Sequence, residues 1–424
     1  MRIALLSYRS KPHCGGQGIF IRHLSRELVR LGHEVDVFSG QPYPELDEGV
    51  ALTKVPSLDL YRDPDPFRVP KLKEFRDLID VEEFVTMCTA GFPEPRTFGK
   101  RVLRELSKRR DEFDVVIDNQ VLADGILDVE KIGLPLLTVL HHPITLDRKI
   151  DLESARAAKD WKKWLSLHRW YGFLRMQGRV ARKARRIITP SESSKRDIAR
   201  DFGVDPAKMT VIPLGADDGF VPPTEPRVPG RILAMASADA PMKGIATLLE
   251  AFAKLRTERE LELVLVTKPV AGGRTERMVE DLGIKDHVSF VHGVSQEELV
   301  RIMGSAELGV VPSLYEGFSL PTAEMMATGT PLVASQAGAI PEVVGPDGLC
   351  ADLVPPGDVS ALLAAIEGLL DDPERRAAYG RAGRARVEEK FSWRAVAKEV
   401  TATLEEVTEE YRRERAGTTE GETR

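Results

Sequence analysis

Apolar runs of strand length, each followed by a loop and then by a run with helical spacing, recur along the whole chain. That order constrains the fold more than any other feature. Residues 3–7 read as a buried strand and 12–18 as a loop holding Gly15, Gly16 and Gly18. A helix is expected over 19–31, with Phe20, Leu24, Leu28 and Leu31 on its apolar face and Gly32 as its stop. Residues 35–39 read as the next strand. Strand, loop, helix, strand is the βαβ unit of a parallel sheet. Further strands are expected at 114–118, 136–140, 187–190 and 211–213. Residues 41–100 read as irregular, with a helix over 71–84.

The pattern then begins afresh. Residues 214–230 are rich in Pro, Gly and Asp and read as a linker. Beyond them, expected strands at 231–236, 261–266, 288–291, 308–312 and 331–335 alternate with helices at 245–255, 297–305, 374–389 and within 356–370. A chain of 424 residues exceeds one ordinary core. The expectation is α/β, with two doubly wound domains and a ligand site in the cleft between them.

Composition excludes several classes. A formal net charge of −6 argues against nucleic acid as partner. Cys14, Cys88 and Cys350 are far apart, without a CxxC, so neither a disulfide framework nor a zinc site is indicated. No signal peptide or membrane-spanning run is visible, and a cytoplasmic protein with reduced thiols is expected. Residues 148–186 stand out. Lys162, Lys163, Arg169, Arg175, Arg179 and Arg182 interleave with Trp161, Trp164, Trp170, Tyr171 and Phe173. Two readings stay open: peripheral contact of 161–186 with an anionic membrane face, or a core-packed helix with a solvated basic side.

The candidate chemistry centres on residues 316–324. An apolar strand over 308–312 leads into a turn with Glu316 at its lip, then into a helix carrying Glu324. A helix N-terminus favours an anion. Ionised carboxylates only accept hydrogen bonds and so suit sugar hydroxyls. Lys243, Lys268, His292, Gly293 and the 316–324 loop all follow strands of the second half, so they share one sheet edge. Lys243 can pair with a phosphate. The Gly317, Phe318, Ser319 and Leu320 backbone can donate, Glu324 can take ribose hydroxyls, and Glu316 can take those of a second sugar. A diphosphate between two sugars is a nucleotide-sugar. In the first half, His141 and His142 follow a strand, Asn119 ends another, and Gln17 belongs to the glycine loop.

Glu316 and Glu324, with 325–333 after them, resemble the Glu-x7-Glu signature of the retaining glycosyltransferases of family 4. Gly15-Gly16-Gln17-Gly18, 212–217, Lys243-Gly244, 293–295 and 338–342 extend the resemblance over most of the chain. It implies the GT-B fold, two Rossmann-like domains around an interdomain cleft. The expected division is an acceptor-binding domain at 1–218, a nucleotide-sugar-binding domain at 219–389, a helix crossing back to the first domain at 390–412, and a polar tail at 413–424. The resemblance implies that Lys243 meets the diphosphate and Glu324 the ribose. Glu316, with the Phe318 and Ser319 amides, would hold the donor sugar. Gly16 would let backbone approach phosphate, and His141, or else His142, would be the histidine near the reacting carbon. Many members place an arginine where Ser237 stands here, and Lys268 is the candidate substitute cation.

The implied activity is hexosyl transfer from a UDP-, GDP- or ADP-sugar to a hydroxyl of a sugar or lipid-linked acceptor. It proceeds with retention, by front-face attack, without metal or other cofactor. The alternatives are another GT-B enzyme such as a nucleotide-sugar epimerase, or a sugar-nucleotide-binding protein of weak activity.

Overall fold

The computed structural model describes residues 1–11, 16–62, 65–236 and 239–421. Internal contacts divide the chain into two units. Unit 1 comprises Met1–Pro190, Ser194–Ile212 and Arg394–Arg424, and unit 2 comprises Ser191–Ser193 and Pro213–Trp393. Each holds one parallel sheet, so the α/β expectation of two Rossmann-like halves is met.

In unit 1 the strands are β1 (Arg2–Ser7), β2 (Glu34–Ser39), β3 (Ala51–Lys54), β4 (Val115–Asn119), β5 (Leu136–Val139), β6 (Arg186–Thr189) and β7 (Met209–Val211). Their order is β3-β2-β1-β4-β5-β6-β7. β1 lies between β2 and β4, with Leu5 opposite both Val37 and Ile117. All of β4 and β5 is buried, which accounts for their near-continuous apolar sequence. The winding reverses between β1 and β4, so the carboxyl ends of these strands flank a switch point, where doubly wound sheets bind ligands.

In unit 2 the strands are β8 (Val228–Met235), β9 (Glu262–Val266), β10 (Val288–Val291), β11 (Ala306–Val311), β12 (Leu332–Ser335) and β13 (Ala351–Val354), in the order β10-β9-β8-β11-β12-β13. Here the reversal lies between β8 and β11. β13, absent from the sequence reading, is four residues long with Asp352 in it, and pairs parallel to β12. Residues 214–230 pack on this unit. Arg227 is half-buried and donates to the carbonyls of Gly304, Ala306 and Thr328.

Several helices depart from expectation. The helix over 71–84 is instead a 3₁₀ turn, Leu72–Glu74, and a separate helix, Leu78–Cys88. Asp77 divides them, since its carboxylate accepts from the Ile79 and Asp80 N–H groups as an N-cap. Helix Glu94–Lys108 lies where the sequence read as irregular. The basic, aromatic stretch divides: helix Trp161–Trp170 has no buried residue and Trp161 is 68% exposed, whereas helix Leu174–Lys183 is core-packed as the second reading expects, burying Leu174, Met176, Val180 and Ala181. The last helix, Trp393–Gly421, continues beyond Tyr411. It buries Val396, Val400, Leu404, Val407 and Tyr411, a stripe at helical spacing. It docks on unit 1, where Tyr411 donates to the Glu130 carbonyl at 2.7 Å and Arg186 pairs with Glu410 at 2.7 Å. Cys88 and Cys350 are free thiols. No helix among the described residues is long and apolar enough to cross a membrane.

Candidate functional site

The unit 2 site is built at its switch point. β11 runs into a loop from Pro312 to Ser319, and helix Leu320–Ala327 follows. The loop is knitted to the segment after β8, because the Leu314 N–H donates to the Met242 carbonyl at 2.7 Å. Gly244 makes this possible. Its φ is +64°, and a Cβ there would lie 1.9 Å from the Pro312 carbonyl oxygen. The two segments bring Lys243 and Glu316 together. Lys243 Nζ and Ser313 Oγ each donate to Glu316 Oε1 at 2.8 Å. Residues foreseen separately are thus one ion pair, with Ser313 as a partner the sequence did not single out.

Among the described residues, the rest of the loop leaves backbone donors without acceptors. Ser319 stands at the N-cap position without a side-chain capping bond and has φ +84°, a left-handed conformation costly for a non-glycine residue. Its hydroxyl meets Thr322 Oγ1 at 2.7 Å. The N–H groups of Phe318, Ser319 and Leu320 have no acceptor among the described residues, the usual state of a helix N-terminus awaiting an anion or water. The Phe318 ring is buried edge-on to Phe391. The Gly317 carbonyl accepts from Ser191 Oγ at 2.7 Å. Behind the loop, the Ala339 N–H donates to the Glu316 carbonyl, and a Cβ on Gly338 would lie 2.2 Å from that oxygen.

Glu324, one helical turn in, is 8% exposed and makes no side-chain hydrogen bond or ion pair among the described residues. Burial first, and then the charge of Asp217, push its carboxyl up to about 7. An unpaired buried carboxylate is expensive unless a ligand supplies donors. Lys268, after β9, and His292 and Gly293, after β10, are exposed. Lys268 forms no ion pair among the described residues. Ser237 lies outside the described residues. Asp239, just after it, caps helix Arg274–Asp281 through the Arg274 and Thr275 N–H groups, a role with no signal in the sequence.

In unit 1 the expected residues also gather at a switch point. His141 Nε2 meets Asn119 Oδ1 at 2.8 Å. Gln120, next to Asn119 but not singled out beforehand, accepts from the His141 N–H and donates to the His142 carbonyl. Gln120 and Leu122 both have positive φ, and the carboxylate of buried Asp118 accepts from the Val121 and Leu122 N–H groups. The His141 ring packs edge-on to Phe20 at 4.9 Å. Burial, and then the neighbouring His142, lower its pKa to about 3, so the imidazole is neutral. His142 instead lies 3.6 Å from Asp147. Gly16 begins helix Gly16–Arg30, and a Cβ there would meet no atom within 4 Å. Gln17 bonds to Tyr8.

Residues 222–386 match the family described as glycosyl transferases group 1, and residues 14–220 match glycosyltransferase family 4. The MMP alpha-(1->4)-mannosyltransferase of Mycolicibacterium hassiacum is 56% identical over 406 residues, spanning 96% of this chain and 98% of the relative. Among solved structures, a sucrose-phosphate synthase from Thermosynechococcus elongatus superposes with a TM-score of 0.71 at 23% identity, covering 96% of this chain and 98% of that one. Anabaena Alr3699/HepE in complex with UDP and glucose gives 0.66 at 16% identity, covering 96% and 99%. These two likenesses concern the fold.

Proposed function

The chain belongs to glycosyltransferase family 4, and from that membership we propose that it moves a mannosyl unit from a nucleotide-diphosphate sugar to a hydroxyl of an α-(1→4)-linked mannoside, with retention. The mannosyl group and the linkage follow the 56% identical relative. The observation that carries the reaction class is Glu324, buried and unpaired on the helix that follows the Lys243–Glu316 pair.

In this reading Lys243 and the Phe318–Leu320 amides receive the diphosphate, Glu324 takes the ribose hydroxyls, and Glu316 takes hydroxyls of the mannose. Donor binding therefore exchanges the Lys243–Glu316 contact for a contact of each with the donor. The bond from the sugar C1 to the diphosphate oxygen breaks. The bond from C1 to the acceptor oxygen forms on the same face, and the acceptor proton passes to the departing diphosphate. Lys243 and the amides stabilise the charge that develops there, which is the catalytic term the protein supplies. His141, held neutral, orients a hydroxyl by hydrogen bonding. No metal or other cofactor enters this scheme.

A thermal-shift screen of UDP-, GDP- and ADP-mannose identifies the donor, because a ligand that binds the folded state raises apparent stability by mass action. Proton NMR of the product from the best donor and an α-(1→4)-mannotetraose then reads the new anomeric centre. An α linkage is expected. A β linkage sinks the retaining mechanism, isomerised free nucleotide-sugar favours an epimerase, and binding without turnover favours a sensor.

A further inference from the structure

Beyond the carboxyl end of β1, aromatic rings from separate segments of unit 1 converge. The Trp170 ring centroid lies 4.9 Å from Phe92, 5.5 Å from Tyr61 and 6.3 Å from Phe67, and Tyr8 lies 6.3 Å from Phe92. This is not closed core. Phe67 is 60% exposed, and Tyr8, Tyr61, Phe92 and Trp170 are half-buried. Phe67 is also held at φ +64°, a strained backbone for a bulky side chain.

A polar pair lies among the rings. Arg9 Nη2 donates to the Tyr61 carbonyl at 3.3 Å, and Arg9 Nε is 3.8 Å from Glu94 Oε2. Both Arg9 Nε and Glu94 Oε2 are shut off from water without a hydrogen-bond partner, and Glu94 is only 8% exposed. Burial raises the Glu94 carboxyl to about 8, and its field in turn helps raise the Tyr8 and Tyr61 hydroxyls. Such groups are costly to bury unless a ligand completes them. The first turn of helix Gly16–Arg30 ties this place to the histidine, since Gln17 bonds to Tyr8 and Phe20 packs on His141.

We propose that the aromatic cup of Tyr8, Tyr61, Phe67, Phe92 and Trp170, with Arg9 and Glu94 among its rings, binds a pyranose unit of the acceptor chain. The inference rests on the reading of this chain as a transferase to a mannoside. Flat apolar rings match the C–H face of a pyranose, while a guanidinium and a carboxyl group offer a donor and an acceptor to its hydroxyls. Few polar groups within an aromatic lining is the usual make-up of a small-molecule site. The subsite would make the enzyme select acceptors of more than one sugar.

Calorimetric titration of α-(1→4)-mannotetraose into the parent protein and into Phe67→Ala, Trp170→Ala and Glu94→Gln tests this, with GDP titrated into the same samples. Trp170→Ala is expected to weaken the tetrasaccharide about tenfold, and Phe67→Ala and Glu94→Gln about fivefold each, with GDP affinity unchanged. Phe67 is exposed, so its variant reports even where Trp170→Ala unfolds. The proposal is overturned if Phe67→Ala and Glu94→Gln bind the tetrasaccharide as the parent does, or if the parent binds mannose as tightly as the tetrasaccharide. A parent that binds the tetrasaccharide but transfers nothing ends the transferase reading and keeps the subsite. A parent that transfers mannose, with the variants at parental affinity, does the reverse.

Discussion

The two switch points are built from opposite materials. In unit 2 the residues are charged and close in sequence: Ser313, Glu316, the 318–320 amides and Glu324 sit on one loop and helix start, with Lys243 brought to them. In unit 1 the residues are neutral or aromatic and scattered. His141 is uncharged and fixed by side chains 21 and 22 residues away. Under the proposed function, the difference follows from what each half would do. A leaving diphosphate gains charge in the transition state and needs fixed opposite charge. An acceptor hydroxyl needs placement, which shape and neutral hydrogen bonds provide.

The largest effect should come from removing the charge. Lys243→Ala is expected to lower kcat/KM about 10³-fold, as loss of a charge-stabilising donor does. Lys243 is part-exposed, so the fold should survive, and steady-state kinetics with unchanged circular dichroism checks it. A loss below tenfold would move the charge-stabilising role to another cation, with Lys268 the first to test. His141→Ala should cost less, about 10²-fold, because it misplaces rather than removes charge. Its signature is in pH. A histidine whose pKa is lowered to about 3 leaves no limb in the kcat profile between pH 5 and 8, so parent and variant profiles should be parallel. A limb near pH 6.5 that vanishes in the variant would make His141 an acid–base group and weaken the contrast.

The third effect concerns a residue with no chemistry of its own. In Gly338→Ala the added methyl meets the Glu316 carbonyl at a residue whose φ is +55°. The loop must move, and the expected loss in kcat/KM is about 30-fold, because a misplacement near 1 Å is worth up to about 10²-fold. Unchanged kinetics would show that the Glu316 loop tolerates displacement and is less preorganised than its hydrogen bonds imply.

This contrast also governs what could be read without coordinates. The unit 2 loop was legible because strand, turn and helix start are contiguous, so spacing alone sets Glu316 and Glu324 on one structure. The sheets were legible for a related reason: strands buried on both faces leave apolar runs, as in β4 and β5. β13 was missed because Asp352 interrupts four residues, and helix Glu94–Lys108 because Pro93 and Pro95 mark its start as a loop. The Lys243–Glu316 pair joins residues 73 apart, so each was foreseen but not their contact. Gln120 was missed although it is adjacent to Asn119, since only the fold shows that it holds both histidines. Arg9 and Glu94 had no signal, because nothing local distinguishes a buried unsatisfied pair from surface charge.

The smallest expected effect tests whether the charge of unit 2 is complete before the donor arrives. Glu324 has a carboxyl raised to about 7, mainly by burial, against an ordinary value of 4.5. Between those values the folded protein holds a proton that the unfolded chain has lost. Glu324 therefore contributes a loss of stability as pH rises through that window, and the loss is complete above 7. The ribose hydroxyls need the ionised form as acceptor, so nucleotide affinity should move the opposite way and tighten about tenfold from pH 6 to pH 8. In Glu324→Gln both trends should disappear: denaturant midpoints should exceed those of the parent most at pH 8, and nucleotide affinity should lose this pH dependence. A parent affinity flat over this range would mean that the carboxylate is already ionised in the free protein, so that unit 2 carries its full charge without the donor, as unit 1 carries its full neutrality without the acceptor.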